Sequence, residues 1–402
     1  MMNLLRPALA GAAAIALLMP TVARPGERAG SFIVVAQFDA RAAYQRKLAV
    51  YEQARAAYEA QAESYWDAIA EKRKTRFAKR RNGTAVGLDD YVLAQPPVYG
   101  GPPRPVDPDQ PEAEPRERKY VPVVADFLSS AQTHFGFTPR RAGSEIDFKR
   151  AYAAIAAAGG LTATQAARVY GFECGGNGTH DVQAGLEYSK DRRAISTALG
   201  YNQLLVANTI DILAEHGPRY VSHLDAKAAT LAPPARASLE RRVASLKRMV
   251  AYAKSVPYAW ANHVKLAGTE KGWGVHALNL DLDIGPLLQT QKLVNSLVHA
   301  RRKGFTSPLS ASELEMMNLT GDGNGFDMVT MPARMREQVP TANFFQRGGY
   351  GRNPVAQRNN TVAKLIAATD AKMDKEAKLP GAREMLAAFG AGAGRSALSN
   401  AR

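Results

Sequence analysis

Apolar and polar positions follow helical rather than strand spacing along most of this chain. Residues 38–81 contain no Pro or Gly, and Leu48, Tyr51, Ala54, Tyr58, Ala62 and Tyr65 recur at three- and four-residue intervals. Tyr44, Tyr51, Tyr58 and Tyr65 also repeat every seven residues. This predicts a long amphipathic helix over 37–82 that either packs its tyrosine stripe on the rest of the protein or self-associates as a coiled coil. Its end, Lys72 to Arg81, is a basic run that suits a solvated helix end or contact with an anionic surface. The pattern then changes. Nine of the 23 prolines lie between Pro96 and Pro122, so residues 83–120 are predicted to form a stiff, extended linker, partly polyproline II.

Helical periodicity resumes over 121–376, the predicted globular domain. Ser144 is placed to cap a helix over 144–157. Thr162 is placed to cap one that runs through Glu173 and stops at Gly175-Gly176. Further helices are predicted near 191–216, 235–255, 285–303, 310–318 and 354–375. Strand signals are few and short, so the predicted fold class is mainly α. Residues 377–402 are predicted to begin with one or two helical turns and then run on as a low-complexity Gly, Ala and Ser tail with little fixed structure.

Composition narrows the function. The chain has 402 residues and a single cysteine, which excludes an intramolecular disulfide scaffold and multi-cysteine metal sites. Lys and Arg number 52 against 37 Asp and Glu, a formal charge of +15, so anionic partners are expected. Residues 1–36 read as a secretory signal peptide. Arg6 supplies the basic region, 7–19 the apolar stretch, and cleavage is expected near 23 or 36. Its loss leaves a net charge of about +13. Export to the periplasm or cell envelope argues against nucleic acid as the natural partner and for an anionic envelope surface.

The stretch 162–208 carries the candidate chemistry. Glu173 stands at the C-terminal end of its helix, between Phe172 and Cys174. Desolvation and the negative end of the helix dipole both raise the pKa of a carboxyl placed there, as a general acid near neutral pH requires. Asn202 and Gln203 follow about thirty residues on, and each can donate and accept hydrogen bonds.

Together these segments resemble the soluble lytic transglycosylases of the lysozyme-like superfamily. Glu173-Cys174 resembles that family's Glu-Ser pair. Gly200-Tyr201-Asn202-Gln203-Leu204-Leu205 resembles its Gly-Leu-Met-Gln-Leu segment, entered by the small-residue run Ala194 to Leu199. The resemblance covers roughly 45 residues. It implies a lysozyme-like helical fold and cleavage of the β-1,4 bond between N-acetylmuramic acid and N-acetylglucosamine in peptidoglycan. Glu173 would be the single general acid and base, with no cofactor or metal. Gln203, Asn202, Tyr201 and Cys174 would contact the saccharide. Two features depart from the family: Cys174 stands where Ser is usual, and the Ala-Tyr-Asn-Ala-Gly segment is missing. Tyr350 is the leading candidate for that segment's tyrosine, ahead of Tyr252 and Tyr258.

Two alternatives remain open at this point. A non-catalytic envelope-binding or assembly protein would keep the fold without turnover. A hydrolytic muramidase would need a second carboxylate, for which Asp181, Glu187, Asp281 and Asp283 are candidates. Other motifs weigh less. His180-Asp181 reads as a loop hydrogen bond rather than a metal site, and 321–327 reads as turns rather than a calcium loop. The pairing of Cys174 with His180 or His276 as nucleophile and base explains less than Glu173 does. In 341–353, aromatics beside Arg347 and Arg352 suit either sugar stacking or a loop packed by Phe344 and Phe345.

Overall fold

The computed structural model describes residues 27–109, 120–186 and 193–399. The signal segment before residue 27 and Glu187 therefore lie outside the described residues, whereas the second cleavage candidate, Val34-Val35-Ala36, falls within the first helix. As expected, the fold is mainly α-helical. Among the described residues there are no extended strands, only three isolated bridges, and no helix is long and apolar enough to cross a membrane.

In chain order the helices are α1 (Glu27–Arg81), α2 (Val124–Phe135), α3 (Glu145–Ala158), α4 (Ala163–Cys174) and α5 (Val206–Ala229). Next come α6 (Pro233–Ala253), α7 (Trp260–Ala267), α8 (Glu270–His276), α9 (Gly285–Arg302), α10 (Ala311–Thr320) and α11 (Asp322–Thr330). Three short helices, α12 (Ala333–Arg336), α13 (Arg347–Gly351) and α14 (Pro354–Arg358), precede α15 (Val362–Glu376) and α16 (Pro380–Ser399). The predicted caps are present: Ser144 accepts from the Asp147 amide, and Thr162 and Gln165 form a reciprocal capping box. Two predicted helices differ. The one near 191–216 starts only at Val206, because the Ala198–Gln203 stretch makes turns, and the one over 354–375 is broken at Asn359-Asn360. Residues 321–327, read as turns, instead enter the helix α11, Asp322–Thr330.

The described residues form two units, one of 27–61 with 98–109, the other of 62–97 with the described residues from 120 onward. This corrects the predicted linker over 83–120. In the first unit the extended residues 98–108 run back along the helix. Tyr99 makes edge contacts with Tyr51 and Tyr58, and Pro102 to Pro108 lie against Ala40 to Val50. In the second unit residues 84–97 are docked. Tyr91 is buried on Phe344, and Asn343 bonds both the amide and the carbonyl of Val92. The globular part therefore begins near residue 62, not near 120.

The basic run at the end of α1 is also structural. Arg76 is fully buried and bonds Asp327 (2.9 Å) and the carbonyls of Asp90 and Asn343. Arg73 bonds the carbonyls of Asn343 and Phe345, Lys79 bonds Asp90, and Arg80 pairs with Asp327. Tyr65 and Trp66 pack on the same core as Tyr350 and Phe345. Much of the charge here balances buried carboxylates and carbonyls rather than facing an outside anion.

The predicted tail is a helix as well. In α16, Ala382, Met385 and Ala388 recur every third residue and are buried against α3 and α4. The Ala382 amide caps back to the Gly176 carbonyl (3.0 Å), and Lys149 pairs with Glu384 (2.7 Å). Its Gly content hid a short apolar stripe. Met385→Ala should cost about 2–5 kcal/mol, as for other buried methionine truncations, measured by denaturant unfolding. A change within about 0.5 kcal/mol would mean that the helix is not docked.

Candidate active site

Three buried clusters make up the core of the second unit, and Glu173 sits at the edge of the second. Helix α4 brings it there. Ala166, Ala167, Val169 and Tyr170 are buried, and Gly175 ends the helix in the left-handed conformation (φ 62°). The Cys174 thiol, itself buried, lies 3.4 Å from the Gly200 carbonyl and 3.2 Å from that of Tyr201. It thus ties the end of α4 to the turn that carries Gln203. Gln289 holds the other side of that turn through the Leu199 carbonyl, the Asn202 amide and Asn279. A Cβ on Gly200 (φ 77°) would stand 2.6 Å from the Gln289 amide nitrogen, so the close approach requires glycine.

Glu173 and Gln203 line one cavity of about 460 Å³, together with Phe172, Cys174, Lys372 and Glu376. This volume lies within the range usual for small-molecule sites, roughly 300–1,000 Å³. Gln203 holds a left-handed backbone (φ 43°), uncommon for a residue other than glycine and frequent at functional sites. Its amide nitrogen donates to the Gly200 carbonyl (2.8 Å) and the Val182 carbonyl (3.3 Å). Only its oxygen therefore remains for a ligand.

Behind Glu173 lies a cluster that the sequence did not reveal. Glu315 of α10 is buried, and Asn318 joins it to the Glu173 carboxyl. Asn318 Nδ2 donates to Glu173 Oε1 (2.8 Å) and reaches both Glu315 oxygens at 3.4 Å. Lys292 of α9 donates to the Asn318 carbonyl (2.9 Å). Burial pushes Glu173 above the usual carboxylate range, while Lys292, Glu315, Lys372 and Asn318 pull it partway back. Burial pushes Glu315 higher still, reinforced by the charge of Glu173. Burial lowers Lys292, against the pull of the two carboxylates. Two carboxyls buried at one site resist ionising together, which favours one proton held between them. With Lys292 charged the cluster is neutral overall.

The shared proton makes the cluster sensitive to pH. A carboxyl whose pKa is raised by folding contributes its stability below the ordinary carboxylate range and loses it as pH rises through the raised native value. Glu315→Gln removes the second buried negative charge. The variant should therefore lose less stability than the wild type as pH is raised, and any activity that needs the shared proton should fall off at lower pH. Melting curves and rates across pH check both. An alkaline limb unmoved by the substitution would exclude a shared proton.

The other residues singled out from sequence lie elsewhere. Tyr201 is fully buried, ringed by Phe148, Tyr152 and Tyr170, with its hydroxyl on Glu145. Asn202 is buried against Gln289 and Tyr152. These two build the floor of the turn and do not line the cavity. Tyr350 is also misplaced as a sugar contact: it belongs to the third core cluster with Trp66 and Phe345. Phe344 and Phe345 are buried there too, so 341–353 is a packed loop. Tyr252 packs on Phe135, and Tyr258 bonds Glu215.

Of the candidate second carboxylates, Asp181 pairs with Arg141, and Asp281 and Asp283 pair with Arg242 and Arg140. His180 bonds Glu145 (2.8 Å), and His276, pushed down to about 4 by burial, is held by Thr209 and the Thr197 carbonyl. Neither serves Cys174. Among the described residues no cluster of His, Cys, Asp and Glu is suited to hold a metal.

Among the described residues, the second carboxylate in the cavity is Glu376 of α15. Burial raises its pKa against the pull of Lys372 and Lys375. Its Oε2 is buried without a hydrogen-bond partner among the described residues, and Lys372 Nζ stands 3.9 Å from it. Lys372 also donates to the Phe172 carbonyl (3.0 Å) and lies over the Phe172 ring. Only one signal could have exposed the buried cluster: Glu315 falls between Leu314, Met316 and Met317, a charge inside an apolar helix. Glu376 and Lys372 read as an ordinary surface pair four residues apart. Comparison with protein-family models, with curated proteins and with solved structures finds no match for this chain.

Proposed function

We propose that this protein is a lytic transglycosylase of the cell envelope that cleaves the β-1,4 bond between N-acetylmuramic acid and N-acetylglucosamine in peptidoglycan. The observation that carries the reading is a carboxyl with a raised pKa, Glu173, on the wall of the cavity that also holds Gln203 and Cys174. Glu173 delivers the proton held between it and Glu315 to the leaving glycosidic oxygen. The carboxylate so formed takes the proton of the muramyl 6-hydroxyl as that oxygen closes the 1,6-anhydro ring, and the pair regains its proton. Glu315 lies behind Glu173, joined to it through Asn318, and is not among the residues that line the cavity. It is not placed to flank a sugar from the opposite side, as the second carboxylate of a hydrolase must. Lys372 stands at the cavity wall, where an anionic lactyl or peptide carboxylate would meet it.

One observation favours a second reading. Glu376 lines the same cavity with a buried oxygen that has no hydrogen-bond partner among the described residues, and a carboxylate there can activate water for hydrolysis. Digestion of purified sacculi separates the two. For a transglycosylase, Glu376→Gln should still release anhydro-muropeptides, at a rate within about tenfold of wild type, because no water needs a base. Reducing-end products that vanish in Glu376→Gln would establish the hydrolase. Binding to sacculi with no products from any variant would leave the non-catalytic reading.

A further inference from the structure

A larger cavity, of about 650 Å³, lies elsewhere in the second unit, between the end of α1, the end of α9 and helix α11. It shares no residue with the Glu173 cavity, so a ligand held there is independent of the transglycosylase reading. Its interior is apolar and aromatic. Tyr91, Met331 and Met335 are buried there. The Phe326 ring meets Phe305 and His299 edge-on at 5.9 and 5.5 Å. Phe77 remains 38% exposed, an uncommon state for a phenylalanine beside a hollow of this size.

The charge of this cavity has one sign. Arg80, Arg81 and Lys303 line it, and among the described residues no Asp or Glu does. Arg80 shares Asp327 with Arg76, so even that buried cluster carries one positive charge in excess. The Arg81 and Lys303 side chains are exposed and make no hydrogen bond or ion pair among the described residues. This contrasts with the rest of the basic run, where Arg73, Arg76, Lys79 and Arg80 are engaged. An apolar chain entering the hollow is removed from water at a gain of about 25 cal/mol per Å². An anion at its end would meet two cations that lack a counterion. A cationic or purely polar ligand would satisfy neither half.

We propose that this cavity binds a single-chain anionic amphiphile, an aliphatic chain ending in one carboxylate or phosphate, with Arg81 and Lys303 on the head group and Phe77, Phe305 and Phe326 along the chain. The free amphiphile, rather than a bilayer, is the occupant, since the site is a hollow for one chain.

Calorimetric titration of the full chain with sodium dodecanoate below its micelle concentration, with 1-dodecanol, and with inorganic phosphate tests this. Dodecanoate should bind saturably at one site. Dodecanol should bind at least about tenfold more weakly, the worth of a charge-assisted head-group bond. Phosphate alone should not bind. Arg81→Glu with Lys303→Glu should weaken dodecanoate by about tenfold or more and leave dodecanol unchanged. Gly323→Leu tests the hollow itself. A Cβ there meets only the Phe77 ring, at 3.7 Å, so the helix accepts it while the longer side chain occupies the entrance, and binding of either ligand should be lost. Absence of saturable dodecanoate binding, equal affinity for dodecanol, or binding indifferent to all these substitutions would overturn the proposal.

Discussion

Glu173→Gln is expected to lower glycan cleavage by about 10²–10⁴-fold, the usual worth of a positioned general acid, without unfolding the protein. The carboxamide keeps the shape of the side chain and an oxygen for Asn318, which donates to it at 2.8 Å. Glu315 is then left as the one carboxylate opposite Lys292, so the buried cluster stays neutral. Release of soluble fragments from sacculi measures the rate, and thermal unfolding shows that the fold persists. A variant retaining more than about a tenth of the wild-type rate would remove Glu173 from the chemistry.

The largest effect on stability is expected at Arg76. Its guanidinium is fully buried, bonds an equally buried Asp327, and donates to the carbonyls of Asp90 and Asn343. Arg76→Ala leaves the Asp327 carboxylate with Arg80 and the Tyr91 hydroxyl as its remaining partners and opens a cavity beneath Tyr91, whose ring the guanidinium covers. Breaking a buried pair from one side costs about 3–5 kcal/mol. The urea midpoint should fall accordingly with the slope unchanged. A loss under about 1 kcal/mol would show that the end of α1 is held by Tyr65, Trp66 and Ile69 instead.

What the sequence disclosed divides along physical lines. Helical periodicity and capping residues are local, and they placed α3, α4, α6, α9 and α10 within a few residues. The position of Glu173 was legible for the same reason: a cap at Thr162, an apolar face and two glycines define that helix end. Tertiary contacts were not legible. The prolines of 96–108 correctly marked extended backbone, but nothing local shows that extended backbone folds back on a helix. The Lys/Arg run of 72–81 looked like a solvated end because its carboxylate partner, Asp327, lies some 250 residues away (|i−j| = 251 for Arg76). Tyr201 and Asn202 looked like ligand contacts because their segment resembles one that binds sugar. Yet the turn directs Gln203 toward the cavity and its two predecessors into the core. Glu315 comes to Glu173, and Glu376 to the cavity it lines, from helices far along the chain, and the packing of α4 with α10 and α15 brings them together.

The proposed mechanism stands or falls on whether Glu173 drives an intramolecular ring closure rather than attack by water. Mass analysis of the soluble muropeptides released from purified sacculi, with wild type and Glu173→Gln digested side by side, distinguishes the two. Wild-type products should end in 1,6-anhydro-N-acetylmuramic acid, lighter by one water than the hydrolysis products, and should be absent from the variant digest. Reducing-end muropeptides from the wild type, or anhydro products that persist without the Glu173 carboxyl, would contradict the mechanism.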